Sequence, residues 1–362
     1  MRINSLLSEK AKDLLSVTGP TIVEKIGNDV IRAVVLDILM GKNIRDSTEN
    51  ITRQRIARLN LELMKIYVEG SAEDPDFAEK LLDIAENTLN MKKISKQERW
   101  VAEWIIGLTD KAFQNVLRDD KKAIEEYKSD YKSICLDVMQ KFENDSGEIK
   151  GEISLGPEVK AEINTFFVLS LLNTVGSETL TIRGSEKSVY GKLFEKLVLG
   201  SLLHILGFKL VSEDEPGDLK KVFWLSSRKS KRESDATLIF KPGKGVRFDI
   251  GFIGRGNPEI SLDKVSRFAK DIEIGNSRCY MATFIIVDRI GENSRIATLA
   301  KDIDGTIIQM SMGYWPQLIA LELNNVLGYK HPIIKMNQTE VAKFLKKKIQ
   351  EVPFGDFIQY IE

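Results

Sequence analysis

Residues 236–253 constrain the fold of this chain most. Two apolar runs, Ala236 to Phe240 and Val246 to Ile253, are separated by Lys241-Pro242-Gly243-Lys244-Gly245. A short turn of this composition between two such runs predicts a β-hairpin. Further strands are predicted around it: Phe208 to Val211, Val222 to Leu225 after a polar loop containing Pro216-Gly217-Asp218, Met281 to Asp288, and Thr306 to Met310. Helices are interleaved with them. Ser188 to Leu206 has Ser188 as a predicted N-cap and Gly207 as a C-cap. Pro258 to about Ile272 has Asn257 as N-cap and Pro258 at the first helical position. Arg295 to Asp302 and Trp315 to Leu327 complete the series. The order helix-β-β-β-α-β-α-β-α implies an α/β class, with a mixed sheet flanked by helices.

The rest of the chain has another character. The first 150 residues hold six glycines and two prolines, and the remaining 212 hold 19 and seven. The first part therefore reads as helical. Thr21 to Met40 carries Ile22, Val23, Ile26, Val30, Ile31, Val34, Val35 and Ile38 close to a 3.6 period. Asn50 to Val68 follows the capping candidates Ser47 and Thr48, and Gly70 can end it. Phe77 to Leu89, Lys96 to Leu108 and Lys111 to Phe142 read as further helices. Asn144-Asp145-Ser146-Gly147 is a loop signal and a boundary candidate. After it come an extended piece around Ile149 to Leu155 and a predicted helix from Pro157 to Leu172. At ~150 residues per domain, 362 residues suggest two domains: a helical one over 1–150 and an α/β one over 151–362.

Lys plus Arg total 53 and Asp plus Glu total 53, so the formal net charge is zero. That excludes a histone-like basic protein and an acidic tail, but not a local basic groove. Two cysteines, Cys135 and Cys279, and two histidines, His204 and His331, are too few and too scattered for a zinc site of ordinary spacing or a disulfide scaffold. Both histidines read as structural. No run of about 18 uncharged apolar residues is present, and Met1 to Lys12 lacks the apolar core of a signal peptide. The expected location is the cytoplasm.

Three acids fall at informative places. Glu195 lies mid-way along an otherwise apolar helix. Asp235 opens the first hairpin strand in Glu233-Ser234-Asp235-Ala236-Thr237-Leu238. Asp249 lies within the second, in Val246-Arg247-Phe248-Asp249-Ile250-Gly251-Phe252. Strand pairing can bring Asp235 and Asp249 together, and neighbouring carboxylates repel unless a cation is shared. Such oxygen donors suit Mg²⁺, which can activate water and stabilise charge in displacement at phosphorus. A solvated strand-start acid is the plain alternative for Asp235, and a solvent-facing position between Lys192 and Lys196 is the alternative for Glu195. Asp249 is harder to dismiss, because an unpaired charge inside so apolar a strand is costly. Around Asp235, the stretch Lys220 to Arg247 carries nine Lys/Arg against two acids. Arg228, Lys229, Lys231, Arg232, Lys244 and Arg247 are accordingly candidate phosphate contacts. Arg255, in Gly254-Arg255-Gly256-Asn257 before a predicted helix, is a weaker one, and a plain turn is the simpler reading. Arg53, Arg55 and Arg58 lie on one predicted helix and read as a solvated face, as do Lys346-Lys347-Lys348.

A helix with Glu195, an acid opening a hairpin, a second acid in the next strand and then αβ resembles the PD-(D/E)XK nuclease superfamily, over roughly Glu186 to Met310. The segment from Asp249 to Phe268 is most similar to type II restriction endonucleases within it. Asp235 and Asp249 are separated by 13 residues, a spacing usual in that superfamily. Ser234 stands where its proline would be. Gly251 stands where its lysine would be, two residues after Asp249. The resemblance implies that Asp235 and Asp249 hold Mg²⁺, with the Ile250 carbonyl as a further ligand, and that Glu195 holds a second metal or a metal-associated water. It implies that another residue takes the lysine's place: Lys264, on the following helix, is the first candidate, and Arg255, Lys244 and Lys229 are weaker ones. The implied activity is Mg²⁺-dependent, sequence-specific cleavage of double-stranded DNA by a homodimer, alongside a companion methyltransferase that protects host DNA. The helical part would wrap DNA, dimerise, or both. Gly251 keeps open a catalytically silent DNA-binding protein, and a structure-specific repair nuclease is a further alternative.

Overall fold

Asn164 starts the longest helix of the chain: its side-chain Oδ1 accepts from the Phe167 N–H at 2.8 Å, and the helix then runs over Thr165–Ile205 without a break. The computed structural model describes residues 2–16, 23, 27–117, 120–212, 220–226, 234–252, 271–274, 277–288 and 305–360. In chain order the helices ahead of this one are α1 (Ile3–Leu6), α2 (Glu9–Leu15), α3 (Asn28–Leu39), α4 (Ile44–Glu73), α5 (Phe77–Leu89), α6 (Lys96–Ile105), α7 (Asp110–Val116) and α8 (Lys121–Ser146). A hairpin of β1 (Lys150–Leu155) and β2 (Val159–Asn164) precedes the long helix, α9. Then come β3 (Lys209–Leu210), β4 (Val222–Leu225), β5 (Ala236–Lys241), β6 (Lys244–Gly251), β7 (Asp271–Ile274), β8 (Ser277–Val287) and β9 (Gly305–Gln309). The helices α10 (Trp315–Leu327), α11 (Gln338–Lys348) and α12 (Phe354–Ile358) follow.

The chain forms two compact units, one of residues 1–17 and 51–187, the other of 18–50 and 188–362. This division differs from a single cut near residue 150. Residues 28–50 belong with the α/β unit because α3 buries Ile31, Val34, Val35, Ile38 and Leu39. In that unit the Ile38 carbonyl accepts from the buried Trp315 indole at 2.9 Å, and Arg32 lies 4.9 Å over the Phe354 ring.

The first unit is mostly helical and includes the β1–β2 hairpin. Its core gathers Leu59, Leu63, Leu81, Leu82, Trp104 and Phe113 with Phe166 and Phe167 of α9. Buried polar atoms are paired across helices: the Tyr67 hydroxyl lies 2.9 Å from both Ser170 and Thr174, and the Trp104 indole donates to Thr181 at 2.9 Å. Ser95 and Glu98 form a reciprocal capping box that starts α6. Three expectations are corrected here. Residues 157–164 are not helix: 156–158 make a turn, with Gly156 at φ +66°, and Val159–Asn164 is strand, with Val159, Ala161 and Ile163 on one face. Ser188 does not start a helix but lies inside α9, whose start is set by Asn164. The helix expected over Lys111 to Phe142 is two, α7 capped by Thr109 and α8 capped by Asp120.

The second unit is built on a seven-stranded sheet of order β3-β4-β5-β6-β8-β7, with β9 pairing β8. Strands β4, β5 and β6 pair antiparallel, β6, β8 and β9 pair parallel, and β7 returns antiparallel on β8. This is the mixed sheet flanked by helices that the sequence implies. The predicted hairpin forms, and its strands extend into the turn until Lys241 faces Lys244. Residues 271–274 are strand, where the expected helix had its last residues; 258–270, and the helix expected at 295–302, lie outside the described residues. By length and composition alone α9 could cross a bilayer, and half of its most apolar stretch is buried within the protein.

Candidate active site

Alternation along β6 decides what each residue faces. Val246, Phe248 and Ile250 are fully buried on one side, where Phe248 meets Phe284 edge-to-face at 5.4 Å. Arg247 and Asp249 point to the other. The register places Thr237 on one flank of Arg247 and Thr283 on the other. Thr237, Arg247, Asp249 and Thr283 are all buried, with Arg247 1% and Asp249 5% exposed. That face thus carries a small apolar cluster of Val222, Trp224, Ile239 and Met281 and, beside it, a polar row containing both signs of charge.

Asp235 is held at the end of this row. Its N–H donates to the Phe248 carbonyl at 2.9 Å, just beyond the paired residues Ala236 and Phe248. Its carboxylate Oδ2 accepts from the Ile250 N–H at 2.9 Å. The carboxylate is therefore anchored to the peptide that links Asp249 to Ile250, which brings the two aspartates together as the sequence leads one to expect. The Asp235 carbonyl accepts from the Ser226 N–H at 3.1 Å and from the Lys196 ammonium at 2.9 Å. Ser234 Oγ and Thr237 Oγ1 lie 3.1 Å apart beside it. Through Lys196, the turn of α9 that carries Glu195 is brought to the same bend.

Two carboxylates and a main-chain carbonyl fit the chemistry of a hard divalent cation, which needs one or two carboxylates and retains several waters. Among the described residues no group of three His, Cys, Asp or Glu side chains is gathered as a metal cluster. Glu195 is half-buried on α9, one residue before Lys196. Arg247 is a correction: it is a buried member of the sheet, so its guanidinium is not an exposed phosphate contact. Lys244 is exposed at the hairpin turn, five residues before Asp249 and hence roughly 17 Å along the strand. Lys264, Arg228, Lys229, Lys231, Arg232 and Arg255 lie outside the described residues. In the first unit, Arg55 is not on a solvated face but buried against Glu186 at 3.0 Å.

Sequence reasoning missed Lys196, Thr237 and Thr283. Only the adjacency of Lys196 to Glu195 pointed to the lysine; the threonines share the parity of Asp249 once the register is known. It also missed Asp288 as an acid, at the end of β8. Asp288 accepts from the Asn43 amide at 2.6 Å, and burial raises its carboxyl above the usual range against the pull of Arg45.

A mixed sheet flanked by helices, with Asp235 hydrogen-bonded to the strand that carries Asp249 and a helix meeting it at the same end, is consistent with a restriction-endonuclease-like core. The CfrBI restriction endonuclease family model matches residues 28–295. The type II restriction enzyme CfrBI of Citrobacter freundii is 40% identical over 351 residues, covering 96% of each chain. The chain belongs to this restriction endonuclease family and is an enzyme of that class. No solved structure matches it significantly.

Proposed function

We propose that this protein is a Mg²⁺-dependent endonuclease of the PD-(D/E)XK type that cuts double-stranded DNA at a fixed sequence, acting in the cytoplasm as a homodimer beside a protective methyltransferase. The observation that carries the reading is the Asp235 carboxylate anchored on the Ile250 N–H, next to Asp249, in a chain of the restriction endonuclease family. Asp235, Asp249 and the Ile250 carbonyl would hold the ion. When bound, the ion supplies positive charge to the phosphate in displacement and eases ionisation of the attacking water. The protein's own part is to fix the two carboxylates from adjacent, well-paired strands. Burial of Asp249 keeps its charge poorly screened, which strengthens its pull on a cation and gives little freedom to its side chain. The positive charge needed along the DNA backbone would fall to Lys244, Arg228, Lys229, Lys231, Arg232 and Arg255, and the part of the missing motif lysine to Lys264.

Gly251, which leaves the motif position without a lysine, favours one competing reading: a nuclease-like protein that binds DNA without cutting it. Digestion of plasmid and phage DNA with Mg²⁺ and with EDTA separates the two. Discrete fragments that require Mg²⁺, and that disappear in Asp249→Asn while gel retardation of DNA persists, are the expected result. Intact DNA that is still retarded, across several substrates, would overturn the catalytic reading. A smear would replace site-specific with nonspecific or structure-specific cleavage.

A further inference from the structure

We propose that Lys196 is the positioning residue of the carboxylate pair, the cation that holds Asp235 in the geometry needed to share a metal with Asp249. The inference deepens the nuclease reading above and rests on it. Lys196 is half-buried on α9, directly after Glu195, and its ammonium donates to the Asp235 carbonyl at 2.9 Å. The same residue is gripped at three more points: its carbonyl by the Ser226 N–H, its own N–H by the Phe248 carbonyl, and its carboxylate by the Ile250 N–H. Three of these four bonds are supplied by backbone and follow from the pairing of β4, β5 and β6. The Lys196 bond comes from a helix, and its donor is a cation.

That placement has two physical consequences. Asp235 lies at a bend just outside the regular strand, and the bond from a helix adds a hold that strand pairing does not supply. A lysine also loses hydration and the freedom of its four-carbon stem on being held half-buried. Asp235 and Asp249 lie at the same end of the sheet, and their negative charge attracts the ammonium held there. The strand itself places no side chain after Asp249 on that face, since residue 251 is glycine. The helix delivers the positive charge from the side.

The test uses the full-length chain, with Lys196→Met to keep the stem without the charge and Lys196→Arg to keep the charge. Single-turnover cleavage of plasmid DNA, DNA affinity in EDTA, Mn²⁺ affinity of the enzyme–DNA complex by calorimetry, and the melting temperature are measured for each. A carboxylate displaced by about 1 Å costs on the order of a hundredfold in rate, and loss of an outer partner weakens metal affinity about 10- to 100-fold. Lys196→Met is therefore expected to lose about a hundredfold in cleavage and at least about tenfold in Mn²⁺ affinity, with DNA affinity and melting nearly unchanged; Lys196→Arg recovers much of both. Wild-type cleavage and wild-type Mn²⁺ affinity in Lys196→Met would overturn the proposal. So would parallel loss of melting, DNA affinity and cleavage in both variants, the pattern of a merely structural lysine. Should Lys196→Met fail to fold, Lys196→Arg and Lys196→Gln decide it by the same measurements: Mn²⁺ affinity kept by Arg and lost by Gln supports the role, and equal affinities refute it. Asp249→Asn as active as wild type overturns the nuclease reading instead. If the wild type cuts nothing, calorimetry alone still decides the role of Lys196.

Discussion

Glu178 is fully buried on α9 in the helical unit, and Thr179 Oγ1 donates to its carboxylate at 3.1 Å. Burial drives its carboxyl up to about 7, the Thr179 hydrogen bond and the charge of Arg55 oppose this, and Glu186 adds to it. The folded chain therefore holds this proton more tightly than the unfolded chain does. Below the ordinary carboxylate value both states are protonated and the contribution to stability is complete; as pH rises toward 7 the unfolded state ionises first and the contribution is lost. Stability is expected to fall by roughly 3 kcal/mol at most between pH 4.5 and 7.5 from this group. Thermal melts across that range check it: Glu178→Gln flattens the decline, and an equal decline in that variant would refute the assignment. Arg55, buried and paired with Glu186 at 3.0 Å, belongs to the same network. Arg55→Met leaves two buried acids without their cation and is expected to cost about 3–5 kcal/mol in denaturant titration, whereas the double change with Glu186→Gln recovers part of that. Additive losses would show that the pair is not coupled.

At the scale of the element, the β5–β6 hairpin fixes the distance between the aspartates. Gly245 faces β5 closely, and a Cβ there would come 2.5 Å from the Leu238 carbonyl oxygen. Backbone cannot give way as a side-chain tip can. Gly245→Ala is expected to destabilise by about 1–3 kcal/mol and to lower cleavage by shifting register toward Asp249; unchanged melting and unchanged activity would count against this close approach. How far such elements were legible follows from where their signals lie. The hairpin, α10 and the strand β4 were readable because apolar runs ended at Gly, Pro or a cap. Asp249 was readable because a charge inside such a run is anomalous on its own. The strand at 159–164 also had its signal, the alternation of Val159, Ala161 and Ile163, but Pro157 suggested a helix start more loudly. Ser188 imitated a cap that Asn164 supplies 24 residues earlier. Arg247 was grouped with surface charges because a run of basic residues along the chain says nothing about face. For Lys196 the sequence offered only its place beside Glu195, since its partner Asp235 lies 39 residues away.

For the whole molecule, the count of sites sets the problem. One 41.0 kDa chain presents one pair of aspartates at its hairpin, and duplex DNA has two strands of opposite polarity. The homodimer proposed above solves this by symmetry: a two-fold axis shared with the DNA gives each strand its own site. It follows that subunits should be separable in function. Wild-type chain mixed with excess Asp249→Asn, denatured and refolded together to allow exchange, forms dimers with one competent site. On supercoiled plasmid the pure wild type is expected to give linear DNA with little open circle, and the mixed population to accumulate open circle nicked at the same sequence. Sedimentation with a DNA duplex should give two chains per duplex. A single chain per duplex, together with linear product whose yield merely scales with the wild-type fraction, would mean that one site cuts both strands in turn. The dimer would then fall while the roles of Asp235 and Asp249 stood.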